Sequence, residues 1–73
     1  MMKWKSLGAE KPPMVEEASI PVLVRTEDSC YFSARYFLDD GMAYWYFYFD
    51  NSQISADASD LWVSVEEVES TIR

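Results

Sequence analysis

The sequence predicts an α+β domain: a small antiparallel β-meander of three to five strands with a short C-terminal helix packed on it. Three observations carry this. Residues 43–49 read Ala-Tyr-Trp-Tyr-Phe-Tyr-Phe, with rings at every position from Tyr44 to Phe49. A strand sends successive side chains to opposite faces, so Tyr44, Tyr46 and Tyr48 share one face and Trp45, Phe47 and Phe49 the other. Two polar turns, Glu27-Asp28-Ser29 and Asp39-Asp40-Gly41, separate three apolar runs in the order a meander needs. Ser64 followed by Glu67 forms a capping box ahead of Val65, Val68 and Ile72, which are spaced three and four apart as on one helix face.

Along the chain, Trp4 to Leu7 reads as a short strand or anchored arm, with Trp4 and Leu7 set for burial. Gly8 to Ser19 reads as a connector. Pro12-Pro13 lacks two backbone donors and holds Lys11 and Pro12 out of the helical region, and Met14 to Ala18 has room for one helical turn after the prolines. Ile20 to Thr26 is a β-branched strand with Pro21 near its start, and Cys30 to Leu38 is a longer one. In the second, Phe32, Ala34, Tyr36 and Leu38 alternate with Tyr31, Ser33, Arg35 and Phe37. Gly and Asp tolerate the backbone angles a hairpin requires, so Asp39-Asp40-Gly41 turns directly into the aromatic strand. Asp50 to Asp60 is polar and loop-like, Leu61 to Val63 a short extended segment, and 65–71 the helix. Glu66 and Glu67 suit the positive end of its dipole, and Arg73 the opposite end. Residues 1–73 thus form a single domain: arm and connector 1–19, three-stranded meander 20–49, loop 50–60, strand and helix 61–73.

A chain of 73 residues holds one small domain, which buries only roughly 60% of the surface its unfolded chain exposes. Chains of this size often rely on a disulfide, a metal or a second copy of themselves. One cysteine, Cys30, allows no internal disulfide, and without histidine the usual zinc and copper ligand sets are missing. Self-association, as a homodimer or larger assembly, is the support left open. Thirteen acidic against six basic residues give a net charge of −7, which repels a phosphate backbone and argues against direct nucleic-acid binding. No apolar stretch approaches the roughly 20 residues that span a bilayer, and no hydrophobic segment follows Met1-Met2-Lys3-Trp4-Lys5 as in a signal peptide, so no membrane partner is expected. A lone cysteine suits a reducing compartment, and the expected location is cytoplasmic.

Catalysis needs a group that transfers protons or attacks near neutral pH. Cys30 has no histidine partner and no nearby lysine, and reads as a small buried or half-buried hydrophobe. The carboxylate pairs Glu16-Glu17, Asp39-Asp40 and Glu66-Glu67 are sequence neighbours rather than groups facing one another across a cleft. Calcium is the only metal the inventory favours, through oxygens such as those of Asp50, Asn51, Ser52, Asp57 and Asp60, but their spacing fails the EF-hand pattern, and a solvated loop is expected. Gly8 and Gly41 make no phosphate-binding loop. No catalytic residue, cofactor or metal is therefore expected. The tyrosine face remains: Arg35, Tyr44, Tyr46 and Tyr48 are the interaction candidates, since Tyr and Arg bring large contact area with a polar handle. Against this stands a face covered by the helix and N-terminal arm, with its tyrosines part of the core. The function expected is a non-enzymatic protein-interaction or self-assembly module with an unidentified protein partner. The alternatives are an acidic inhibitor or decoy of a nucleic-acid-binding protein, and a small aromatic platform that binds a ligand such as a sugar.

Trp4 near the start, the Pro-containing connector leading to Val22-Leu23-Val24, and Trp62 before an acidic tail resemble a group of short uncharacterised proteins common in prophages and bacterial genomes. Those chains open with Trp, run through Pro into a Val-Leu-Val strand, form a meander rich in Tyr and Trp, and close with a Trp-containing segment. The resemblance spans most of the chain through brief, compositional motifs. It implies the fold class and a mobile-element origin, and assigns no functional residue. The long connector and the helical tail, where the family usually has prolines, depart from the pattern.

Overall fold

A computed structural model describes residues 3–47 and 50–72, the backbone only at 71 and 72; the predicted places of Tyr48, Phe49 and Arg73, and of the Ile72 side chain, lie outside the described residues. The strands are β1 (Lys5–Ser6), β2 (Met14–Val15), β3 (Ala18–Ser19), β4 (Val22–Arg25), β5 (Tyr31–Asp39), β6 (Met42–Phe47), β7 (Ser52–Ser55) and β8 (Leu61–Ser64), followed by helix α1 (Val65–Ile72). They form one curled antiparallel sheet, a half-barrel, with a single short helix among the described residues. This corrects the expected α+β meander of three to five strands: the fold is mostly sheet, with eight strands among the described residues.

The extra strands explain the error. Within the supposed connector, β2 and β3 make a tight hairpin whose turn is Glu16-Glu17, with Glu16 at φ 61°. Hairpin turns that need positive φ normally advertise themselves with Gly or Asn, and this one does not. The helical turn expected at Met14 to Ala18 is therefore absent. Within the supposed loop 50–60, β7 (Ser-Gln-Ile-Ser) has little intrinsic strand preference and is extended because β6 pairs with it residue for residue.

The central meander is present. In β5 the residues Tyr31–Ala34 pair with β4, and Arg35–Asp39 pair with β6 on the opposite edge. Asp40 and Gly41, at φ 53° and 83°, close the β5–β6 hairpin as a two-residue turn with both angles positive, the geometry that matches strand twist. Thr26 to Cys30 closes β4–β5 through a three-residue loop in which Ser29 takes φ 65°. β3 joins β5 through Ala18↔Phe37 and β4 through Val22↔Ala34, so four residues on one side span three on the other. That is a bulge, and Pro21, lacking an N–H, sits at it. β8 inserts between β1 and β4.

On the concave face Leu7, Val22, Val24, Ala34, Tyr36, Trp45 and Trp62 form the buried core. Tyr36 and Phe32 meet Trp45 edge to face, at centroid distances of 5.6 and 6.4 Å. The Trp62 indole N–H donates to the Glu10 carbonyl at 2.8 Å, tying the arm down. Leu7 is buried as expected, while Trp4 is half-buried against Tyr31. Val63, next along β8 from Trp62, therefore faces the convex side, yet is fully buried. Helix α1, which follows β8 directly, contacts β8 and β4. The Ser64 hydroxyl accepts the Glu67 N–H at 3.0 Å, the predicted cap, and Glu67 in turn accepts the Lys3 N–H at 3.1 Å.

Candidate functional site

The aromatic strand is extended and splits its rings as predicted: Trp45 is fully buried in the core, and Tyr44 and Tyr46 lie on the convex face, half-buried. Cross-strand register aligns Val15, Ala18, Phe37, Tyr44 and Ser55 in one row over β2, β3, β5, β6 and β7. The next row holds Arg35, Tyr46 and Gln53. Phe37 stacks on Tyr44 at 5.4 Å with planes 27° apart, and meets Tyr46 edge to face at 5.8 Å. The Tyr46 hydroxyl donates to Asn51 Oδ1 at 2.6 Å, and the Arg35 guanidinium donates to the Ser19 carbonyl at 3.4 Å. Of the four predicted candidates, Arg35, Tyr44 and Tyr46 thus come together, and Tyr48 lies outside the described residues.

Helix and arm do not settle on this cluster, because the sheet divides its convex face. Helix α1 contacts β8 and β4, and the β3–β5–β6–β7 half carries the tyrosines. Val15 and Met42 extend the aromatic patch with 56% and 58% of their surface exposed. An open hollow of about 390 Å3, lined by Glu17, Ala18, Phe37, Tyr46 and Gln53, runs along it. Charge divides along the chain rather than between the two halves of the sheet. From Tyr36 to Ile72 the chain has no Lys or Arg, against Asp39, Asp40, Asp50, Asp57, Asp60 and the three glutamates of the helix.

Asp60 is the residue that sequence reading missed. Grouped there with the solvated loop, it is buried, and its Oδ2 accepts the Trp45 indole N–H at 2.7 Å and the Asp57 N–H at 3.0 Å. No local pattern signals a partner fifteen residues away. Asp28, Asp50 and Asp57 are exposed aspartates at or beside turns. Their carboxyls are held below the ordinary value of 3.8 by hydrogen bonds: chiefly from the Thr26 hydroxyl to Asp28, the Ser52 hydroxyl to Asp50, and the Ser59 backbone N–H to Asp57. Burial pushes the Tyr36 hydroxyl above 10.0. Among the described residues no three His, Cys, Asp or Glu side chains are arranged to hold a metal ion. Cys30, expected to be at least half-buried, is exposed beside the β4–β5 turn. No helix among the described residues is long and apolar enough to cross a membrane. The chain matches no protein-family model, and no curated protein or solved structure is similar to it at a significant level.

Proposed function

We propose that the protein is a non-enzymatic interaction or self-assembly module of the cytoplasm, with the convex aromatic patch as its contact surface. The observation that carries this is the Phe37–Tyr44–Tyr46 cluster left half-exposed, with Phe37 and Tyr44 in one row with exposed Val15, while the helix contacts β4 and β8. Side chains of this kind anchor protein contacts when they become desolvated. Self-assembly through the patch gives a dimer in sedimentation that persists at high salt, since aromatic burial is not screened. Tyr46→Asp would place a charge in the middle of the patch and return the protein to monomer. A protein that stays monomeric at high concentration, and captures no partner in a Tyr46-dependent way, contradicts the reading.

The run from Tyr36 to Ile72 without a basic residue favours a second reading, an acidic decoy of a nucleic-acid-binding protein. Its capture of such a partner fades steeply with salt and competes with nucleic acid; salt-independent capture removes it.

A further inference from the structure

Building on that reading, we infer that the free edge of β7 takes up an extended, basic segment of a partner protein as an additional strand. Among the described residues β7 pairs only with β6, and all four of its residues are exposed. Natural edge strands are usually blunted by Lys, Pro, a bulge or extreme shortness. β1 and β2, the other outer strands, have two residues each, and Pro12-Pro13 precedes β2. Ser52–Ser55 carries none of these protections. The Ala56 N–H donates to the Ala43 carbonyl at 3.0 Å, which sets the phase of the β6–β7 ladder. Alternate residues exchange bonds in such a ladder, so Ile54 turns its N–H and C=O toward β6. Gln53 and Ser55 then turn theirs outward, offering two donors and two acceptors at the spacing of an added strand.

Electrostatics selects the occupant. Asp50 and Asp57 flank β7 at either end, both exposed and both with carboxyls held below the ordinary aspartate value. In a twofold antiparallel pairing of two copies the outward-facing Gln53 must lie opposite the other copy's Ser55, centred on Ile54, which brings each Asp50 to within one position of the other copy's Asp57. Like charges brought that close oppose pairing. An incoming strand with Lys or Arg near its ends replaces two repulsions with two attractions. Its side chains opposite Gln53 and Ser55 lie on the convex face, on the side of Tyr44 and Tyr46.

The probe is a capped peptide, Lys-Thr-Lys-Val-Lys-Thr, titrated into the intact protein by calorimetry, with a Glu-for-Lys peptide as control. The basic peptide is expected to bind, the acidic one not, and capture weakens from about 0.05 to about 0.5 M salt. Ser55→Pro deletes an outward N–H without touching the β6 ladder and lowers affinity about tenfold, as befits one lost main-chain bond. Ser55→Lys, which keeps the backbone, repels the same peptide if the proline variant does not fold. Equal binding by both variants, equal binding of the acidic peptide, or no binding at all overturns the inference. So does a dimer that dissolves in Ser55→Pro, which would give the edge to a second copy. Binding lost in Tyr46→Asp but kept in both Ser55 variants overturns the edge while leaving the aromatic patch as the contact surface.

Discussion

Asp60→Ala is expected to destabilise the domain by about 3 kcal/mol. The side chain is 5% exposed and its Oδ2 holds two N–H groups, the Trp45 indole at 2.7 Å and the Asp57 backbone at 3.0 Å. Trp45 is 0% exposed, so its indole N–H cannot turn to water; leaving such a donor unsatisfied costs about 2 kcal/mol. The Asp57 N–H lies nearer the surface and recovers part of its loss, leaving about 1 kcal/mol. A domain of 73 residues has roughly 4–11 kcal/mol in total, so the variant forfeits a large share. Asp60→Asn keeps one acceptor oxygen without the charge and costs about 1 kcal/mol. Urea unfolding followed by circular dichroism measures both, and a cycle with Trp45→Phe isolates a coupling of about 1.5 kcal/mol. An Asp60→Ala midpoint equivalent to less than about 0.5 kcal/mol of change, or no coupling in the cycle, refutes the reasoning. The bond matters beyond its energy because it fixes which face Trp45 occupies. A one-residue slip of β6 would carry Tyr44 and Tyr46 into the core.

Other expectations follow from the backbone and the titrating groups. Glu16→Gly relieves a left-handed residue at φ 61° and raises stability by about 1 kcal/mol in urea unfolding, unless added freedom of the unfolded chain cancels the gain. Ser64→Ala removes the helix cap and lowers the unfolding midpoint by about 1 kcal/mol. Because Asp28, Asp50 and Asp57 are depressed in the folded state, their contribution is complete above the ordinary value of 3.8 and disappears as pH falls through their lower folded values. The urea midpoint should thus be level near neutrality and drop below pH 3.8; Asp28→Asn, Asp50→Asn and Asp57→Asn together flatten that drop. Tyr36, raised by burial, contributes stability that is whole below pH 10.0 and lost as pH climbs through its folded value; Tyr36→Phe removes that alkaline limb in a pH series.

Where side-chain pattern and turn chemistry agree, the chain is readable. β4, β5 and β6, the Asp40-Gly41 turn and the Ser64 cap were all visible from spacing and residue type. What stayed hidden depends on partners distant in sequence. β7 is a strand because β6 lies beside it, and the β2–β3 turn uses Glu16, whose preferred conformations do not include the one it adopts. The same holds at the site: alternation along 43–47 separated the tyrosines from Trp45, but only the sheet order shows that α1 lies over β4 and β8 rather than over them. The role of Asp60 emerges from a contact no window of sequence contains.

The position of β8 bears on how the protein is made. Among the eight strands it is the last to leave the ribosome, yet its neighbours, β1 and β4, are among the first. Until Leu61–Ser64 arrives, β4 has one naked flank and Val24 lacks its cross-strand neighbour Trp62. Closing the sheet must therefore wait until residue 64 has emerged, and the nascent intermediate exposes a sticky seam to chaperones and to its own kind. Trimming the chain before residue 61 would remove β8 and α1 together, strip one flank of β4 and leave β1 without the strand it pairs with.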